Sequence, residues 1–373
     1  MKTGRNESCW CGSKIKYKKC HLDRDQQKPV DQNEIHKKLS SFNQQQCCSV
    51  PSELKDKCTS KIIKAHSVSK SSSLKEIAID GHVLTTFKVT HSFNKTHRLE
   101  PKLIGINKAS TFNGFCSYHD KTLFSSIEDL PFLRTEEQCF LVAYRAVSRE
   151  LFAKRSASNV LGLLKELDKG KSLKQQIEHQ NASNYYINNH DLTTNDLVFV
   201  KSKLDRMLVL GDYSDLVHVI FELENPASVM TSAILSSEID FEGGILQNPS
   251  SNPNEIPDYL IINSFAGNGK GYIVMSWLAE HSICNEILLD QLLKKDHISN
   301  YLTMFVFASI ENNYLCPTWW ASLSSEMQDY ICKVYSYGVS EHTDVDVLQN
   351  VPDIKMPKVT NIVAINRPKI ARN

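Results

Sequence analysis

No stretch of this 373-residue chain reaches the roughly eighteen consecutive apolar residues that cross a bilayer as a helix. Its N-terminus also lacks the apolar core of about 7–15 residues that marks a secretory signal. These absences exclude a helical membrane span and lead us to expect a cytoplasmic chain with no membrane partner. Net charge is nearly missing too, since 43 Lys and Arg face 42 Asp and Glu. The field of the whole molecule therefore recruits no polyanion, and any affinity for nucleic acid must come from local patches. A phosphate loop is absent. The nearest stretch, SFAGNGKG, has Ser264 where the first glycine belongs and Gly271 where Ser or Thr belongs, and reads as a hairpin turn with Asn268-Gly269 at its tip. What is present, 41% hydrophobic and 23% charged residues, suffices for a sizeable core and two or more domains.

Cysteine is plentiful at 11, but the odd count in a reducing compartment argues against a disulfide framework and towards metal binding. Cys9, Cys11, Cys20 and His21 have the spacing C-x-C-x8-C-H, which offers three thiolates and an imidazole to a tetrahedral zinc ion. So short a segment cannot bury a core of its own, so the metal would supply its folding energy. Gly12 and Ser13 after the first pair allow the tight turn that aims both thiolates at one ion.

The run GRNESCWCGSKIKYKKCH, Gly4 to His21, resembles the SEC-C motif, the zinc-binding tail known from the SecA translocase ATPase and appended to many other bacterial proteins. The family pattern, roughly GRNDPCPCGSGKKYKKCH, aligns without a gap and carries its zinc ligands onto Cys9, Cys11, Cys20 and His21. Ser8 and Trp10 replace prolines, Lys14 replaces a glycine and Ile15 a lysine. The resemblance implies recruitment. Lys2, Arg5, Lys14, Lys16, Lys18 and Lys19 set six positive charges against Glu7, a net of +5 before the metal site is counted. The expected partner of this basic knuckle is an acidic protein surface, a ribosome or a nucleic acid.

A second zinc site is expected from Cys58, His66, Cys116 and His119. Asn113-Gly114 reads as a turn, and Cys116-x-x-His119 opens a helix, as in a treble clef that presents one ligand pair from the first turn of a helix. The adjacent Cys47 and Cys48 are read as free thiols. The passage also resembles the HNH nuclease finger, with Ala65-His66 and the block Asn113 to Asp120 as its two parts. That resemblance implies His66 as general base and Asp120 as a Mg2+ ligand, although Asp120 stands where the family has a histidine. His82, His91 and His97, on the alternating strands between the two parts, are read as exposed.

Farther on, Thr135 and Gln138 form a capping box before Phe140, Leu141, Tyr144, Val147 and Leu151 at helical spacing, and a second helix is expected over 159–167. Strands are expected over 216–224, 258–265 and 271–277. The architecture expected is α+β: a zinc knuckle over 1–25, a polar linker over 26–57, a treble-clef or HNH-like finger over 58–128, a helical segment over 129–190, an antiparallel α+β domain over 191–350 and a basic, fraying tail over 351–373. Function is read as zinc-dependent recruitment, with two zinc ions. The alternative is an HNH-like, Mg2+-dependent nuclease acting as a toxin or phage-defence effector.

Overall fold

The computed structural model describes residues 3–40, 45–85, 100–249, 252, 254–337 and 345–368. Along them run α1 (Gln32–Ser40), β1 (Ile62–His66), β2 (His82–Thr85), β3 (Lys102–Gly105), β4 (Thr111–Cys116), α2 (Ser117–Glu128), α3 (Glu136–Leu164) and α4 (Leu173–Leu210). Then follow β5 (Leu216–Leu223), β6 (Val229–Leu235), β7 (Leu260–Gly267), β8 (Lys270–Leu278), α5 (Ser282–Leu292), α6 (Ile298–Ser309), β9 (Asn313–Leu315), α7 (Pro317–Ser322), α8 (Ser325–Tyr337) and β10 (Val359–Ile365). The chain is therefore mixed α+β, in two compact units: Met1–Gln46 with Leu151–Val198, and Cys47–Glu150 with Phe199–Asn373.

In the first unit the knuckle joins the facing parts of α3 and α4. No proline interrupts α3 between Leu151 and Leu164 and Gly162 is carried within it, so the separate helix expected over 159–167 is instead its last turns. Its final carbonyls, which a helix end leaves without partners, are met from α4: His179 Nε2 lies 2.7 Å from the Leu164 carbonyl, and Gln180 Nε2 donates to Lys165 at 2.8 Å. Gly170 turns the chain in the left-handed region at φ +76°, where a Cβ would come within 3.0 Å of the Gln27 carbonyl. The helix α4 continues through position 190, where the sequence placed a boundary.

The second unit is built on an eight-stranded antiparallel sheet in the order β10-β5-β8-β7-β6-β9-β2-β3. Strand β5 alternates between two apolar surroundings. Val217, Val219, Phe221 and Leu223 enter the main core with Trp277, Phe305 and Phe307, while Ile220 packs on the other face with Phe132, Cys139 and Val274. Burial on both faces explains the nearly unbroken apolar run LVHVIFEL. The expected turn forms as read: Gly267 pairs with Lys270 across Asn268 (φ +53°) and Gly269 (φ +75°), a two-residue loop with both residues left-handed, as a type I′ turn requires. A separate two-stranded sheet pairs β1 with β4, Ile63 opposite Phe115.

One expectation is corrected. The tail does not simply fray, because Val359–Ile365 pairs with β5 as an edge strand, Ile362 opposite Phe221. Glu222 on the same β5 is buried and holds Arg134 at 2.7 Å and the ammonium of Lys270. His82 is exposed as expected, whereas His91 and His97 lie outside the described residues. One glycine tests the packing at the head of β8. A Cβ on Gly271 would stand 2.6 Å from the Asn225 carbonyl oxygen and 2.9 Å from the Ala227 amide nitrogen. Backbone cannot yield as a side-chain tip can, so Gly271→Ala should cost about 1–3 kcal/mol, checked by denaturant unfolding against wild type.

Candidate metal centres

The knuckle is shaped by backbone bonds before any metal is considered. Cys9 N donates to the Ile15 carbonyl at 2.8 Å, Tyr17 N to Glu7 at 2.8 Å and Lys18 N to Arg5 at 3.1 Å, folding the segment back on itself. Gly12 (φ +80°) and Lys14 (φ +60°) both lie in the left-handed region. The motif's own pattern has glycine at position 14, so Lys14 carries strain that the pattern residue would not.

A short 3-10 turn, Tyr17–Lys19, then delivers Cys20 and His21 to the first pair. The ligand atoms of Cys9, Cys11, Cys20 and His21 all lie within 4.8 Å of one another. His21 Nδ1 is 3.3 Å from Cys9 Sγ and 3.1 Å from Cys20 Sγ, and Cys11 Sγ is 3.6 Å from Cys20 Sγ. A tetrahedral zinc ion spaces its sulfur and nitrogen ligands by roughly 3.5–3.8 Å, so this quartet closes on such an ion with adjustments of at most about an ångström. Burial pushes the Cys9 thiol up to about 12, and burial also holds His21 below its ordinary value, in the neutral form a metal needs.

The imidazole is oriented from behind. His21 Nε2 lies 2.9 Å from Asp168 Oδ2, and Asp168 is fully buried. Burial would raise that carboxyl, but donors from Arg24 (Nε, 2.6 Å), Gln180 (Nε2, 2.8 Å) and His21 outweigh it and hold it low. A metal-bound histidine commonly gives its other N–H to such a carboxylate, which fixes the ring and raises ligand basicity. On the other side, Asn184 Nδ2 holds the Cys11 carbonyl at 3.2 Å, and the Trp10 ring packs 4.4 Å from the His21 ring.

The second quartet is Cys48, Cys58, Cys116 and His119, again with all ligand atoms within 4.8 Å. Three of the four expected residues meet; His66 does not. His119 Nδ1 is 3.5 Å from both Cys48 and Cys58 and 3.2 Å from Cys116. Cys116 caps α2 at the end of β4, and His119 follows in the first turn of the helix. Cys48 comes from an extended segment alongside β4, where Cys47 N donates to Asn113 and Ser49 N to Gly114. Neighbouring side chains on extended backbone point to opposite sides, so one member of the Cys47-Cys48 pair can ligate while the other cannot, which corrects the reading of both as free thiols. Burial opposes ionisation of Cys116, but the backbone amides of His119 and Thr59 and the Thr59 side chain draw it down to about 6. Burial instead pushes Cys48 up to about 12.

His66 ends β1 with Nε2 3.2 Å from the Ile106 carbonyl, too far along the strand to reach the quartet. It lines a cleft of about 250 Å3 together with Asp120, Lys70, Glu128 and Arg145. Among the described residues the two Cys/His quartets are the groups that could hold a metal ion.

Residues 5–23 match the family model of the SEC-C motif. This stretch is a SEC-C module. Compared with curated proteins and with solved structures, the chain has no match in either. With a zinc-binding motif and two Cys/His quartets, the chain is a zinc-binding protein, and among its described residues no helix is long and apolar enough to cross a membrane. Because Asp168 orients His21, Asp168→Asn should weaken metal binding by the SEC-C quartet about 10- to 100-fold and leave the other quartet unchanged. Competition with a chromophoric chelator checks this, and equal affinity would show that Asp168 serves packing alone.

Proposed function

We propose that the chain is a zinc-dependent recruitment protein whose SEC-C module docks it on an acidic protein surface, a ribosome or a nucleic acid. The observation that carries this reading is the division of the knuckle into an inside and an outside. Cys9, Cys11 and His21 are buried, whereas Arg5, Lys14, Lys16, Lys18 and Lys19 are exposed and Ile15 is 49% exposed at the tip of the same loop. Three thiolates and one zinc ion contribute only about one negative charge, so the surface stays strongly positive around an apolar tip. Such a surface steers and holds a polyanion, and its affinity falls with salt.

The second quartet, with its strand-end cysteine and helical histidine, supports a treble-clef-like reading and a second structural zinc. Elemental analysis of the purified chain is expected to find close to two zinc ions. A value near one would remove the second centre, and none would remove both.

Recruitment is tested by reversing Lys14, Lys16, Lys18 and Lys19 to Glu and measuring binding to ribosomes, RNA, DNA and polyglutamate at rising salt. Wild type should bind at least one of these with salt-dependent affinity, and the reversal should weaken it by at least about tenfold while zinc content holds. Binding to none of them, or binding indifferent to the reversal, would sink the proposal.

A second reading, an HNH-like nuclease, is favoured by one observation: His66 and Asp120 line the same cleft. Burial keeps His66 below its ordinary value and so neutral, as a general base must be. On the recruitment reading, wild type leaves plasmid DNA, single-stranded DNA and RNA intact in Mg2+ or Mn2+. Cleavage that disappears in both His66→Ala and Asp120→Ala, each retaining zinc, would put the nuclease in its place.

A further inference from the structure

A second cleft of about 290 Å3, adjoining the His66 cleft, opens in the second unit between the serine-rich segment after β1, the turn after α2 and the strands β6 and β7. Most of its polar wall is already satisfied. Ser264 Oγ donates to Val229 at 2.7 Å, Thr231 Oγ1 to Asn312 at 3.1 Å and Ser69 Oγ to Glu128 Oε2 at 2.7 Å. Two buried donors among its lining residues are not. Arg145, 6% exposed, has no partner at Nε, and Asn263, 2% exposed, has none at Nδ2. Buried donors left unpaired are uncommon, because each forfeits its hydration without return.

The ion pair of Arg145 leaves its Nε–H without an acceptor. Arg145 Nη1 donates to Glu128 Oε1 at 2.5 Å, and its plane lies 5.1 Å from the Phe124 ring. Glu128 is occupied in turn by the hydroxyls of Ser69 and Ser71, so the carboxylate is engaged while the Nε side of the guanidinium is not. A planar or tetrahedral group with two or more acceptor oxygens suits such a donor. Beside Asn263 on the same face of β7 the lining turns apolar, where the rings of Phe265 and Phe132 pack edge to face at 4.9 Å. A volume of this size lies at the small end of ligand sites.

We propose that this cleft binds a small molecule carrying a carboxylate or phosphate group on an apolar body, the anion against Arg145 and Asn263 and the body against Phe132 and Phe265. The site shares Glu128, Asp129 and Arg145 with the His66 cleft and owes nothing to the basic knuckle.

The test is calorimetric titration of the full chain with phenyl phosphate, benzoate, inorganic phosphate and benzyl alcohol at constant ionic strength. At least one aromatic anion should bind saturably and at least about tenfold more tightly than inorganic phosphate or benzyl alcohol, and the preferred anion tells phosphate from carboxylate. Arg145→Lys keeps a cation beside Glu128 but loses the Nε–H, and should weaken that binding about tenfold. Asn263→Ser gives the same reading at a second donor should the first variant fold poorly. No saturable binding of either aromatic anion by wild type, equal binding of benzyl alcohol, or affinity unchanged in both variants would overturn the proposal and leave a cleft filled by water.

Discussion

Asp168 keeps a carboxylate wholly out of water, and it is reached by His21 and Arg24 from the N-terminal knuckle, far away in sequence, and by Gln180 from the start of α4 nearby. A charge so placed is tolerable only while its donors remain, since removing one partner of a buried pair leaves an uncompensated ion. The arrangement ties the SEC-C module into the helical pair that carries Asp168. It also links metal binding to packing, because an ion on His21 Nδ1 makes the opposite N–H a stronger donor to Asp168. Loss of the ion would loosen the ring and with it one of the three residues that make the buried carboxylate affordable.

The two quartets share a donor set, three thiolates and the Nδ1 of a histidine, yet they are secured differently. The second is steadied through the backbone beside Cys48. Lys201, itself buried, donates from Nζ to the Ser49 carbonyl at 2.8 Å and to Asp205, and the Tyr144 hydroxyl gives its proton to Asp205 at 2.7 Å. In each case the groups behind the ligands come from helices distant in sequence, which local spacing does not reveal.

That distinction decides what was legible. The SEC-C ligands were readable because all four fall within one short turn whose geometry the spacing itself encodes. Cys58, Cys116 and His119 were readable as a strand-and-helix pattern. Cys48 was not, since nothing local distinguishes it from Cys47, and His66 took its place on the strength of a motif. The hairpin from Leu260 to Leu278 was read correctly from apolar runs and an Asn-Gly turn. The helix Leu173–Leu210 fell only in its first part within the expected helical segment over 129–190, because Asn, Gln, His and Thr fill it and no apolar stripe marks its course; its polar side chains meet carbonyls of the preceding helix instead. The last strand was hidden by its basic flanks, although VTNIVAI is a fair strand sequence taken alone.

The place of that last strand bears on how the molecule is made. Strand β5 is paired on one side by β8, and its other edge is covered only by Val359–Ile365, which leaves the ribosome more than a hundred residues later. From the completion of β8 at Leu278 until Val359–Ile365 is made, a nascent chain that has joined β5 to β8 offers an open row of amides and carbonyls along LVHVIFEL. Exposed apolar edges of this kind recruit strands from other chains. Premature termination just short of Val359 would therefore yield a product prone to aggregate through one defined edge, even though nearly all of its core had been synthesised.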